Sequence, residues 1–141
     1  MSARAAYAFF SPLRVRYSEI DAQGIVFNAH YLTYYDITIT EYLRAIAFDY
    51  DNMVKTTGLD FHLVKATVEY KRPILKDSEL EIGIACGRIG TTSITWVLAI
   101  FLKGSDEVLA TGEIVWVCSK VGAHKSHALP ESLLKLLPEG A

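Results

Sequence analysis

The sequence predicts an α+β domain in which a five-stranded antiparallel sheet wraps around one long helix. Three observations carry that expectation. One stretch has helical periodicity, the segments on either side of it alternate apolar and polar residues, and the later segments are joined by turns too short for anything but antiparallel neighbours. The first alternating segment runs from 12 to 17, with Leu13, Val15 and Tyr17 on one side and Arg14, Arg16 and Ser18 on the other. That is a short half-buried strand. A loop carrying Asp21 and Gly24 follows, to about Phe27. Asn28 stands where a helix N-cap belongs, because its side chain can accept a hydrogen bond from a first-turn N–H. From 29 to 57, Tyr31, Tyr35, Ile39, Tyr42, Ile46, Tyr50 and Met53 recur every three or four residues, while Thr33, Asp36, Thr40 and Arg44 mark another face. This reads as one amphipathic helix, closed at Gly58, where a left-handed residue ties off the last carbonyls.

The remainder is strand-like. Residues 61 to 72 set Val64, Ala66, Val68 and Tyr70 against Lys65, Thr67, Glu69 and Lys71, and Pro73 ends the run. Residues 79 to 88 alternate Leu80, Ile82, Ile84 and Cys86 with Glu79, Glu81, Gly83 and Ala85. In the next two strands both faces are apolar: Ile94, Trp96, Leu98 and Ile100 oppose Val97, Ala99 and Phe101, and Ile114 and Trp116 oppose Val115 and Val117. One helix covers one face of a sheet, so the second face needs another cover, and an oligomer is expected. Short turns at Lys76-Asp77-Ser78, Gly90-Thr91 and Gly104-Ser105-Asp106 separate these strands. In the tail, Pro130 stands as a first helical residue before a cluster of Leu133, Leu134, Leu136 and Leu137, a short packed helix. The whole span 1–141 reads as a single domain, since a chain of this length buries roughly two-thirds of its unfolded surface and needs neither disulfide nor metal to fold.

Composition narrows the function. Of the 141 residues 51% are hydrophobic, and 14 basic against 16 acidic side chains leave a net charge of −2, which offers no basic face for a nucleic acid. No apolar run reaches the roughly 20 residues of a membrane span, and the N-terminal segment lacks the pattern of a secretory signal, so a cytoplasmic setting is expected. Cys86 and Cys118 fit no Cys-x-x-Cys pattern and read as small buried hydrophobes. His124 and His127 have the spacing of two metal ligands on a helical face, but no third ligand stands nearby, and a surface loop is the better reading. Neither a metal nor a redox cofactor is expected. Phosphate-cradling glycine loops, zinc patterns and nucleophile elbows are all missing.

The chemistry concentrates in the loop before the helix. A helix start offers unpaired N–H groups and about half a positive charge, suited to a developing oxyanion, while the Asp21 carboxylate offers a base or nucleophile. Attack on an activated carbonyl needs that pair. On these residues alone, an Asp in a loop before a helix is more often a turn or capping residue.

The run Arg14-Val15-Arg16-Tyr17-Ser18-Glu19-Ile20-Asp21-Ala22-Gln23-Gly24-Ile25-Val26-Phe27-Asn28-Ala29-His30-Tyr31 resembles the signature of the hotdog-fold acyl-CoA thioesterases. It is similar to 4-hydroxybenzoyl-CoA thioesterase and, more closely, to the small bacterial acyl-CoA thioesterases associated with the Tol-Pal envelope system. The likeness continues through Thr67-Val68-Glu69-Tyr70 with Pro73, Thr92-Ser93 and Ala128-Leu129-Pro130. The resemblance implies a hotdog fold whose subunits pair edge to edge through the strand near Phe61, as a homodimer or homotetramer. It implies Asp21 as the catalytic carboxylate, attacking the thioester or activating water. The Asn28 N–H would polarise the carbonyl, and Tyr17 matches a Tyr implicated in the Tol-Pal type. That type usually has His where Asn28 stands, which motivates an alternative reading as a non-catalytic acyl-CoA-binding or envelope-complex scaffold. A hydratase on the same fold ranks last.

For the acyl-CoA substrate, Gly24 and Val26 of the motif are binding candidates. Phe27, Tyr31, Val64 and Trp96 are candidates to line the acyl pocket. Lys71, Arg72, Arg88, Lys120 and Lys125 are candidates to meet coenzyme A phosphates, and His30 is a residue of the pocket rim.

Overall fold

A computed structural model describes residues 2–138. Its strands are β1 (Phe9–Arg14), β2 (Leu59–Tyr70), β3 (Glu79–Ile89), β4 (Ser93–Leu102) and β5 (Val108–Lys120), and its helices are α1 (His30–Ala45), α2 (Tyr50–Thr57) and α3 (Glu131–Leu134). The strands form one five-stranded sheet in the order β1-β3-β4-β5-β2, with every neighbouring pair antiparallel. The expected sheet and central helix are both present.

α1 buries Tyr31, Tyr34, Tyr35, Thr38, Ile39, Tyr42 and Leu43, the stripe its periodicity calls for. The sheet answers with Leu80, Ile82, Ile84, Trp96, Leu98 and Ile114, each no more than 3% exposed. A fully buried side chain of this size contributes roughly 1.5–3 kcal/mol of transfer free energy, so this layer contact dominates stability. Trp96 sits between Tyr42 and Trp116, each edge-on at 6.0 and 5.8 Å between ring centroids. Its buried indole N–H lacks a hydrogen-bond partner among the described residues.

Several boundaries differ from expectation. The helix expected over 29–57 is broken: α1 ends at Ala45, Ala47 takes a left-handed φ of 62°, and Asp49 caps α2 by accepting the Asn52 N–H at 3.0 Å. Gly58 does close the run, with φ 71°. Asn28 does not cap α1, because Ala29, already helical at φ −66°, holds that position without a side-chain cap bond. The first strand lies earlier than expected, and Tyr17 is no inward strand residue. It opens a 3-10 turn (Tyr17–Glu19) and is 76% exposed, with the Lys76 ammonium 5.4 Å from its ring centroid. In the tail, Pro130 flanks α3 at the N-cap instead of starting it.

The chain itself covers part of the sheet's second face. The Arg4 guanidinium stands 5.1 Å from the Phe10 ring centroid and 4.8 Å from that of Phe101, donates to Glu81 at 2.9 Å and to the Ser105 carbonyl at 2.7 Å, and so folds the N-terminal segment over β3 and β4. Gly83 makes room, since a Cβ there would lie 2.9 Å from both Phe10 and Tyr7. Val97, Val115 and Val117 remain only half-buried.

Candidate functional site

The segment between β1 and α1 is tied down by its backbone. Val15 N–H donates to Ser78 O at 2.9 Å, Val26 N–H to Ile74 O at 2.8 Å and Lys76 N–H to Gly24 O at 3.2 Å, so the loop is laced to the β2–β3 connection. Within it, Asp21 N–H donates to Ile25 O at 2.9 Å and Gly24 N–H to Asp21 O at 3.0 Å. That tight turn uses Gly24 at φ +76°, a conformation open to glycine at little cost. The half-buried Asp21 carboxylate accepts the Gln23 N–H at 2.8 Å, which leaves its second oxygen free of any partner among the described residues.

The chain then turns through Asn28 and Ala29 into α1. His30 N–H donates to Phe27 O at 3.0 Å, Tyr31 N–H to Asn28 O at 3.4 Å and Tyr70 O–H to Asn28 O at 3.1 Å. No hydrogen bond among the described residues takes up the Asn28 N–H. A donor at the positive end of a 16-residue helix is thus available.

Asp21 and Asn28 line one cleft of about 440 Å³, together with Val26, Tyr31, Tyr70 and Arg72. Tyr31 and Tyr70 meet edge to face, centroids 4.7 Å apart, and burial first, then the Tyr70 phenol, push the Tyr31 hydroxyl above its ordinary pKa. Lys71 stands on the same lining, and the Arg72 guanidinium is paired to Glu107. Of the residues singled out from sequence, Asp21, Asn28, Val26, Tyr31, Lys71 and Arg72 therefore come together. Tyr17, Gly24, Phe27, Val64 and Arg88 do not line this cleft. Phe27 is 46% exposed against His30, and Val64 is 58% exposed on the free edge of β2. Arg88 lies nine residues along β3 from Glu79, roughly 30 Å of strand. Sequence reasoning missed Tyr70 as a wall of the cleft. Its signal was the short distance to Pro73, which returns the end of β2 to the mouth of α1.

A second hollow of about 780 Å³ lies at the other end of α1, walled by Leu43, Phe48, Phe61, Leu63 and Trp116 and edged by Asp36, Asp49 and Asp51. Among the described residues no three His, Cys, Asp or Glu side chains are grouped to hold a metal ion, and no helix is long and apolar enough to cross a membrane.

A helix packed on a five-stranded antiparallel sheet is the architecture of the hotdog thioesterases. The family model of the thioesterase superfamily matches residues 23–109, more than half of the chain. The chain belongs to that superfamily. It is 32% identical over 123 residues to an acyl-CoA thioester hydrolase, YbgC, of Escherichia coli O157:H7, covering 87% of this chain and 90% of the relative. The crystal structure of a hypothetical protein from Aquifex aeolicus superposes with a TM-score of 0.84 at 29% identity, covering 93% of this chain and 100% of that one. A 1,4-dihydroxy-2-naphthoyl-CoA thioesterase from Synechocystis shares the fold, at a TM-score of 0.85 and 17% identity over 92% of this chain and 94% of its own.

Proposed function

We propose that the chain is a single-domain acyl-CoA thioester hydrolase that converts an acyl-CoA and water to a carboxylic acid and coenzyme A. The observation that carries this reading is the sharing of one cleft by the Asp21 carboxylate and the unoccupied Asn28 N–H. With the thioester carbonyl oxygen on that N–H, the electrophilic carbon faces Asp21, which either adds to it or takes a proton from the attacking water. The C–S bond then breaks. The thiolate leaves readily, so no strong acid is needed on the sulfur, and both oxygens of the product acid come from acyl group and water. Lys71 and Arg72 at the lip are suited to coenzyme A phosphates, with Val26 and Tyr31 against the acyl end. The names of the relatives at 32% identity support the substrate class. A cytoplasmic setting goes with the reading, in keeping with two buried, unpaired thiols at Cys86 and Cys118.

The working form in this proposal is a homodimer joined at the free edge of β2, or a tetramer built from such dimers. Antiparallel pairing of two β2 edges sets the Tyr70 end of one strand beside the Leu59 end of the other. Each Asp21 cleft would then open onto the partner's hollow, whose Phe61, Leu63 and Trp116 side would give the acyl group a wall that the single chain lacks.

The test is Asp21→Asn, nearly isosteric. Turnover of a panel of short-chain, medium-chain and aromatic acyl-CoAs should fall at least 100-fold while thermal midpoint and acyl-CoA affinity stay close to wild type. Hydrolysis near the wild-type rate in that variant would remove Asp21 from the reaction. A wild-type protein that binds acyl-CoA without turning any over would leave the scaffold reading in its place.

A further inference from the structure

Besides its backbone bonds to the β2–β3 connection, the loop that carries Asp21 is held on the side of α1 by Glu19. Its carboxylate Oε1 accepts the Arg16 N–H at 2.8 Å, closing the 3-10 turn, and accepts the Tyr34 O–H of α1, also at 2.8 Å. Its Oε2 lies 3.7 Å from the Arg16 guanidinium, and its backbone oxygen accepts the Phe27 N–H at 2.9 Å, one residue before Asn28. The Glu19 side chain is only 14% exposed, and Tyr34 is fully buried. A carboxylate is costly to bury unless it is partnered, and here Oε1 accepts two hydrogen bonds while Oε2 faces the Arg16 cation. Burial, and then the bond to Glu19, hold the Tyr34 phenol well above its ordinary pKa, so it remains a donor across the working pH range. From Ile20 the chain turns back by a bridge between Ile20 and Val26, so the turn that carries Asp21 is held by Glu19 at its base and by residues 74–76 at its far side.

We propose that Glu19 is a positioning residue for the hydrolytic step: by clamping the Asp21 loop to α1 through the Tyr34 hydroxyl, it fixes the carboxylate relative to the Asn28 N–H. The inference rests on the proposed hydrolysis. The reason for expecting a large effect is geometric, since a misplacement of about 1 Å in a reacting group costs on the order of 100-fold in rate. Substrate affinity comes from other groups, so the loss belongs in kcat.

The experiment compares Glu19→Ala, Glu19→Gln and Tyr34→Phe by steady-state kinetics with a turned-over acyl-CoA and by hydrogen exchange. Glu19→Ala should lower kcat 30- to 100-fold with KM within threefold, and Tyr34→Phe about 10-fold. Adding Tyr34→Phe to Glu19→Ala should cost less than its effect alone, because both break one contact. Glu19→Gln keeps an oxygen for Tyr34 and Arg16 and should recover most of kcat. Amides of 20–28 should exchange at least 10-fold faster in Glu19→Ala and Tyr34→Phe, but not in Glu19→Gln, with β3 and β4 unchanged. The proposal is overturned if kcat stays within threefold in the alanine variant, if loop exchange does not change, or if Glu19→Gln is as impaired as Glu19→Ala. Should Glu19→Ala not fold, Tyr34→Phe decides by the same two readouts. If wild type turns over no acyl-CoA, the hydrolytic reading fails, while the exchange arm still decides whether Glu19 clamps the loop.

Discussion

At Gly112 an α1 side chain presses against the sheet: a Cβ there would lie 2.4 Å from Tyr35 Cε2 and 2.6 Å from the Thr67 carbonyl oxygen. The second neighbour is backbone in the adjoining strand and cannot step aside. Gly112→Ala should therefore destabilise by roughly 2–3 kcal/mol, read as a lower urea midpoint at unchanged m. Gly24→Ala meets open space but keeps a positive φ, and should cost only about 1–2 kcal/mol. A reversed order would mean that α1 sits further from the sheet than described. The contrast also explains which residues could be read from the chain. Asp21 and Gly24 serve a turn made by their immediate neighbours, so the local sequence announces them. Gly112 is required by Tyr35 and Thr67, and Tyr70 enters the cleft through contact with Tyr31 and Asn28. Partners that distant in sequence leave no mark beside the residue they constrain.

The break between α1 and α2 shows the same limit for an element. Phe48 N–H bonds back to Leu43 O at 2.9 Å and Ala47 N–H to Arg44 O at 3.0 Å, the paired bonds of a Schellman end, with Phe48 and Leu43 both buried beneath it. That end normally announces itself with glycine at the left-handed position, and here Ala47 fills it at φ 62°. The apolar spacing continues across the break in phase, so periodicity alone runs straight through. Placing alanine in that region costs roughly 1–2 kcal/mol that glycine does not incur, partly offset by the greater freedom of unfolded glycine. Ala47→Gly should raise stability by about 1 kcal/mol in chemical denaturation, without loss of helical signal. A loss would show that α1 and α2 depend on Ala47 for more than its backbone angle. β2 and β3 were legible because their side chains alternate polar and apolar, whereas the bulge in β2 between Leu63 and Lys65 shifts the phase and leaves Leu63 57% exposed.

At the scale of the molecule, the second face of the sheet was expected to need a cover, and the structure presents a further uncovered surface at the β2 edge. The outer sheet face is partly closed by the Arg4 segment of the same chain, whose anchor Glu81 is held below the usual carboxylate range by the Gly104 N–H and then by Arg4. The edge of β2 has no such cover among the described residues. It is 12 residues long, with Leu63, Val64 and Tyr70 each more than half exposed, a ready template for another strand. Pairing with its own copy about a two-fold axis near Val64 would consume that edge and set each Asp21 cleft against the partner's hollow. Light scattering at micromolar concentration should then give at least twice the 15.7 kDa of the chain. Val64→Lys, which brings two ammonium groups together across the axis and leaves the Asp21 loop untouched, should shift the mass toward monomer. If the acyl wall comes from the second chain, kcat/KM should fall at least 10-fold in that variant and recover as protein concentration rises. A wild-type monomer with full activity, or a Val64→Lys monomer as active as the parent, would show that one chain holds the whole site.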